Sequence, residues 1–281
     1  MILVLGATGT TGGEVARQLI AEGQRPRLLV RNLEKASEFE GTAELVHGDL
    51  DRPASLAAAL KGVSKVYMVS AGASVAALES HVVDAAKRAG VGHVVKLSVI
   101  TADQPALTFA RWHGQSEQHL MASGMAWTML RPGNFMTNSL AWAGTIKSQG
   151  VFYQPTGDGK WASIDPVDIG AVAVKALTQA GHEGQAYTLT GPESLSAAGH
   201  AAIAAKVLGR PVTFVDVPPE AARDGMLKSG MPPVYVEALL DLLSVMKRGG
   251  ADIVTNDVER VLGRKPATFE SWVRRHAAAF A

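Results

Sequence analysis

The stretch Ile2-Leu3-Val4-Leu5-Gly6-Ala7-Thr8-Gly9-Thr10-Thr11-Gly12 decides the fold. Four apolar residues read as a buried strand. The glycines then stand at the spacing G-x-x-G-x-x-G, ahead of an amphipathic run that opens near residue 11. Each of the three glycines meets a need that a Cβ would obstruct. Gly6 allows the tight turn, Gly9 lets backbone approach a diphosphate, and Gly12 brings helix close to strand. The first turn of a helix offers unpaired N–H groups and a partial positive charge, which suits an anion. Ala7 lies in the loop, and Thr8, Thr10 and Thr11 add hydroxyl donors. The alternative is a tight strand-to-helix turn that holds nothing.

Outward from this loop, short apolar runs alternate with longer amphipathic ones, the pattern of β-α-β units and a parallel sheet. Strands are predicted near 1–5, 27–31, 43–47, 65–70, 93–98, 126–131, 186–190 and 213–216. Helices are predicted near 11–22, 54–61, 75–89, 107–123, 137–149 and 166–180. A glycine follows each helix (Gly23, Gly62, Gly90, Gly124, Gly150 and Gly181), as expected where a left-handed residue ends a helix. Beyond residue 192 helical runs dominate, near 195–207, 218–229, 232–246, 256–262 and 267–280. The class is therefore α/β: a Rossmann-type doubly wound parallel sheet with a smaller, mostly helical C-terminal cap on the substrate side. The division expected is a dinucleotide-binding domain over 1–191, lending pocket residues from 131–165, and a cap over 192–281.

Composition bounds the rest. Among 281 residues, 47% are hydrophobic and 19% charged, which supports a large core, and the net charge of +1 gives no footprint for nucleic acid or an acidic membrane. With no cysteine, disulfides, thiolate catalysis and cysteine-held metals are excluded, and a reducing cytoplasm is the expected setting. No His-Glu-x-x-His pattern occurs, and no metal site is expected. The first strand leaves no room for a leader before it, and no membrane span is read. Partners are expected to be a small aromatic acceptor and, at most, a second copy of the chain, as monomer or homodimer.

The second strand names the dinucleotide. An acid about 20 residues past the glycine loop holds the ribose 2′-hydroxyl of NAD. Here no acid occurs from Gln24 to Leu33, and Arg31 ends the strand with Lys35 nearby. A guanidinium suits a 2′-phosphate, so NADPH is expected, with NADH a weaker alternative. The other reading of Arg31 is a solvated side chain at a strand end. Asp49 and Leu50 follow the third strand, where they would meet the adenine, although an N-cap role for Asp49 or Asp51 fits equally. Ser70-Ala71-Gly72 follow the fourth strand and would face the middle of the cofactor, since ligands bind beyond the carboxyl ends of such strands.

A short-chain dehydrogenase places Ser after the fifth strand and Tyr-x-x-x-Lys on the next helix. Ser98 meets the first expectation. The helix carries His113-Gly114-Gln115-Ser116-Glu117, with His for Tyr and Glu for Lys, and no Lys or Tyr lies between Leu97 and Lys147. Residues 113 and 117 share a helix face. Two readings stand: His113 donates a proton while Glu117 orients it and raises its proton affinity, or the two form a structural pair. Without a phenol-lysine relay, the acceptors that suit the site are those that spread charge themselves. Pro132, Gly133, Asn134 and Phe135 follow the sixth strand and are expected beside the nicotinamide. Phe135, Met136, Trp112, Trp142 and Trp161 either wall a flat substrate or serve as core aromatics.

Taken together, Gly6-Ala7-Thr8-Gly9-x-x-Gly12, Val30-Arg31-Asn32, Arg131-Pro132-Gly133-x-Phe135, Gly157-Asp158-Gly159-Lys160, Asp165 to Ile169 and Gly181-His182-Glu183-Gly184 resemble the NmrA-like branch of the atypical short-chain dehydrogenases. The chain is similar along nearly its whole length, most of all to bacterial azoreductases, quinone oxidoreductases and triphenylmethane reductases. The resemblance implies a cofactor cradle from Gly6 to Thr11, Arg31, Ser70 to Gly72 and Gly133 to Asn138. It implies NADPH-dependent hydride transfer to a quinone, azo compound or related dye. The same branch contains binders that sense the dinucleotide without turning it over, which is the alternative.

Overall fold

The computed structural model describes all 281 residues. In chain order the elements begin β1 Ile2–Leu5, α1 Thr10–Ala21, β2 Arg27–Val30, β3 Glu44–His47, α2 Leu56–Leu60, β4 Lys65–Met68, α3 Val75–Arg88, β5 His93–Leu97, α4 Thr108–Ala122 and β6 Ala126–Pro132. They continue α5 Ala143–Gln149, β7 Val151–Gln154, β8 Lys160–Trp161, α6 Pro166–Thr178, β9 Gln185–Leu189, β10 Leu195–Ser196, α7 Ala197–Leu208 and β11 Thr213–Asp216. The chain ends with α8 Pro219–Lys228, α9 Pro233–Lys247, α10 Asp257–Leu262, α11 Phe269–Arg275 and α12 Ala277–Phe280.

Two compact units result: Met1–Pro132 with Pro166–Thr188, and Gly133–Asp165 with Leu189–Ala281. The first holds the main sheet, of order β3-β2-β1-β4-β5-β6-β9. β1 pairs in parallel with both β2 and β4, so the order reverses at that point. Strands covered by helices on both faces read as continuous apolar runs, as β1 does with Ile2-Leu3-Val4-Leu5, and β5 is buried at all five of its positions. One face of the sheet, with Leu3, Leu5, Val66, Met68 and Val94, packs on Leu56 and Leu60 of α2, Val82 and Val83 of α3 and Leu120 of α4. Elsewhere in this unit α1 and α6 lie so close that a Cβ on Gly170 would reach 2.9 Å from Gln18 Nε2, and Gln18 Nε2 donates to the Val167 carbonyl at 3.0 Å.

The second unit has its own core of Met136, Ile146, Phe152, Trp161, Phe269 and Trp272. It contains two small sheets, β10 antiparallel to β8 and β11 parallel to β7. The strand expected near 213–216 therefore pairs with β7 rather than joining the main sheet. β8 and β10 were not legible because two residues carry no alternation, and β7 was not read in the sequence either. Residues 133–165, read in the sequence with the 1–191 portion, pack with the C-terminal helices. Trp142 stacks on Phe152, with centroids 4.1 Å apart, and Trp161 stacks on His200 at 4.6 Å. The terminal helix expected over 267–280 is broken at His276, whose Nδ1 bonds the Trp272 carbonyl.

Two glycines set the opening turn. Gly6 has φ +64°, and a Cβ there would lie 2.8 Å from Val69 Cγ1. At Gly12 a Cβ would lie 2.2 Å from the Gly6 carbonyl oxygen and 2.5 Å from that of Leu5. Both obstacles at Gly12 are backbone, so no rotamer change relieves them. The six glycines predicted to stop helices all have positive φ, between 68° and 93°. Gly12→Ala is expected to cost about 3 kcal/mol or more, the range of severe core disruptions. Gly144→Ala, with nothing within 4 Å of the new methyl, is expected to leave stability unchanged or raised. Thermal denaturation of the two variants checks this, and equal melting temperatures would refute the packing argument.

Candidate functional site in the first unit

The loop between β1 and α1 leaves donors in hand. Gly9 caps α1 without a side-chain bond, and no acid occupies the first turn. The Gly9 amide is used, bonding the Gly6 carbonyl at 2.8 Å, while Thr8, Gly9 and Thr10 are exposed and Ala7, Thr11 and Gly12 buried. A helix start with uncapped amides, no carboxylate and bare glycine surface fits a diphosphate.

At the end of β2, Arg31 and Lys35 are exposed. Asn32 Oδ1 accepts from the Glu34 amide at 2.9 Å and folds the chain back there. After β3, Asp49 Oδ1 accepts from the Asp51 amide at 3.2 Å, so its carboxylate closes a local turn. His81 Nδ1 donates to the Leu50 carbonyl at 2.8 Å and ties that loop to α3. After β4 come half-buried Ser70, exposed Ala71 and Gly72, whose φ is +99°. Ser98, after β5, is buried and its hydroxyl has no partner in the protein. A buried hydroxyl without a partner costs free energy unless something supplies one.

The pairing expected on α4 is not what forms. Glu117 takes Arg131 of β6 in a two-pronged ion pair, Oε1 to Nε at 3.0 Å and Oε2 to Nη2 at 2.6 Å. His113 instead meets Lys96 of β5, with Nζ donating to ring Nδ1 at 3.4 Å. Burial, with the Lys96 charge adding, pushes the His113 pKa down to about 3. The expectation that Glu117 orients His113 and raises its proton affinity is thus corrected on both counts. The imidazole is neutral at pH 7, with Nδ1 as acceptor and Nε2 carrying the hydrogen.

Lys96 belongs to a cluster that sequence reading missed. Lys96 and Glu79 of α3 are fully buried and 2.6 Å apart. Glu79 Oε2 also accepts from Ser116 Oγ at 2.5 Å, and Oε1 accepts from Ser70 Oγ at 2.9 Å. The third contact of the ammonium is the Leu97 carbonyl at 3.1 Å. The signal was available: a lysine inside the predicted strand His93-Val94-Val95-Lys96-Leu97, between Val95 and Leu97, must find a buried anion.

The remaining residues singled out in the sequence divide between the units. Trp112 is half-buried in the first, edge-on to Phe109 at 5.3 Å. Pro132, which ends β6, is buried. The rest are in the second unit. Asn134 Nδ2 donates to Ser163 Oγ at 3.1 Å, and Phe135 forms a parallel bridge with Ile164. Gly133 and Phe135 are half-buried, and Met136 and Trp161 are buried core, so packing claims those two side chains. No group of three or more His, Asp or Glu side chains that could hold a metal occurs.

Comparison with known proteins supplies context for this geometry. A family described as NAD(P)H-binding matches residues 6–180. The chain is 42% identical over 285 residues to the NAD(P)H azoreductase of Xenophilus azovorans, covering 100% of this chain and 99% of that protein. It is 39% identical, over 100% of this chain and 99% of the relative, to the (4-alkanoyl-5-oxo-2,5-dihydrofuran-3-yl)methyl phosphate reductase of Streptomyces griseus. Among solved structures, the NADPH-dependent quinone oxidoreductase QOR2 of Escherichia coli, complexed with NADPH, superposes with a TM-score of 0.91 at 30% identity, covering 99% of this chain and 100% of that one.

The low proton affinity of His113 has a consequence for stability. Its folded pKa lies below the ordinary 6.5, so the stability it contributes is full above pH 6.5 and lost as pH falls toward 3. Denaturant melts from pH 8 to pH 4 are expected to weaken more steeply with acid in the wild type than in His113→Gln. Parallel curves would contradict the neutral, buried ring.

Proposed function

The chain belongs to the NAD(P)H-binding family of atypical short-chain dehydrogenases and is an NAD(P)H-dependent oxidoreductase, and from that premise we propose that it uses NADPH to reduce flat, conjugated acceptors of the azo or quinone kind. The observation that carries the coenzyme reading is the combination of an uncapped, acid-free α1 start with an exposed Arg31 where an NAD enzyme carries an acid. The amides of Thr10, Thr11 and Gly12 would hold the diphosphate. Arg31, with Lys35 in support, would hold the 2′-phosphate. Asp49 and Leu50 would border the adenine, and Ser70, Ala71 and Gly72 would border the centre of the molecule. When bound, the nicotinamide supplies a hydride.

The acceptor class follows from the acid available. A neutral imidazole is a hydrogen-bond donor and a weak acid, so His113 suits an acceptor whose conjugated system spreads the incoming charge. A simple ketone, whose alkoxide demands a strong acid, is poorly served. The hydroxyl of Ser98, unpartnered in the protein, would offer a second polar contact.

Steady-state oxidation of NADPH, followed at 340 nm with a panel of azo dyes, quinones and simple ketones, tests the reading. Turnover is expected with the first two groups and little with the third. Arg31→Glu removes a charge-assisted bond worth about 1.5–3 kcal/mol and adds repulsion. It should raise the KM for NADPH about 100-fold or more, at 1.4 kcal/mol per tenfold, and change that for NADH far less. Tight NADPH binding with no turnover on any acceptor would contradict the proposed activity.

A further inference from the structure

Resting on that reading of function, we propose that Lys96 is the proton reserve of the site, feeding the acceptor through the imidazole of His113. Three observations converge on it. First, the Lys96 ammonium has three hydrogens and three acceptors: Glu79 Oε2 at 2.6 Å, the Leu97 carbonyl at 3.1 Å and His113 Nδ1 at 3.4 Å. The long third contact is the one that leads out of the cluster. Second, the contact fixes the ring so that Nε2 bears the hydrogen, and Nε2 has no partner in the protein. Third, the cluster is anchored to the loop after β4 by Ser70, which donates to Glu79. A fully buried Lys-Glu pair contributes little net stability, because desolvation offsets the attraction, so its presence asks for another use.

The step balances. Reduction of an azo bond leaves an anionic nitrogen, with the hydride and both electrons coming from the nicotinamide. That nitrogen takes the Nε2 hydrogen of His113 as a new N–H bond. In the same movement Nδ1 takes a hydrogen from Lys96, which is left as a neutral amine beside Glu79, and the imidazole ends in its other tautomer. After product leaves, a solvent proton returns by the reverse path. A neutral imidazole that accepts on one nitrogen while donating from the other needs no cationic intermediate, consistent with the unfavourable charging of His113 in this position. Lys96 acts through His113 and is a positioning and supply residue. His113 is the group that meets the acceptor.

The test uses the whole chain, two variants and their combination. Lys96→Met alone would strand the Glu79 charge, so it is combined with Glu79→Gln, which removes both charges together. His113→Phe is the second variant, and it leaves the ion pair in place. Nitrogen-15 NMR of the coenzyme-free wild type, with the His113 signals assigned by their loss in His113→Phe, is expected to show the Nε2–H tautomer. The double variant should lose that preference. In turnover, an azo dye needs a proton with the hydride, whereas a triphenylmethane carbenium dye becomes neutral by hydride addition alone. Both variants are expected to lower kcat on the azo dye at least tenfold more than on the carbenium dye, and combining all three substitutions should add no further loss. Equal losses on the two dyes, or an Nδ1–H tautomer in the wild type, would overturn the relay. A wild type inert toward both dyes would instead overturn the reading of function on which it rests.

Discussion

Helix α1 can start where it does only because position 12 has no side chain. The carbonyl oxygens of Leu5 and Gly6 occupy the volume a Cβ would need, at 2.5 and 2.2 Å. That approach lets the first turn of α1 rise directly from the carboxyl end of β1, at the place where the strand order reverses between β1 and β4. The reversal opens the sheet to a ligand, and the helix start presents positive charge there. Packing and recognition are thus one constraint seen twice, and no acid in the first turn of α1 competes for the same amides.

The second organising feature is electrostatic. A polar cluster of Lys96, Glu79, Ser70 and Ser116 sits inside the layer between the sheet and helices α3 and α4, in a region otherwise filled by Val82, Val83 and Val94. Inside a low-dielectric interior such a cluster is tolerable only when every donor and acceptor is met, and here the ammonium has all three of its hydrogens placed. Its cost secures an imidazole in one tautomer. The Arg131–Glu117 pair nearby is separate, with Arg131 partly solvated, and it holds α4 to β6 rather than tuning the ring.

Much of the first unit was legible because its signals are local. A strand, a glycine loop and a helix occupy consecutive residues, and a glycine past a helix declares its left-handed conformation without reference to anything distant. The cofactor loop and the missing acid before Leu33 belong to the same class of signal. What escaped was tertiary. The partner of Glu117 is fourteen residues away on another element, and Lys96 lies on β5 rather than on the helix where a short-chain dehydrogenase carries its lysine. Short strands such as β8 and β10 exist only through each other. The affiliation of residues 133–165 rests on ring contacts of Trp161 with His200 and of Phe152 with Phe214, contacts that no periodicity announces.

Coenzyme binding depends most on a diphosphate lying against α1 with a second phosphate at Arg31. Isothermal titration of the coenzyme-free protein with NADPH and, separately, NADH measures this directly. The expected result is saturable one-to-one heat for NADPH, with NADH at least tenfold weaker. No heat from either coenzyme, or equal affinity for the two, would contradict it.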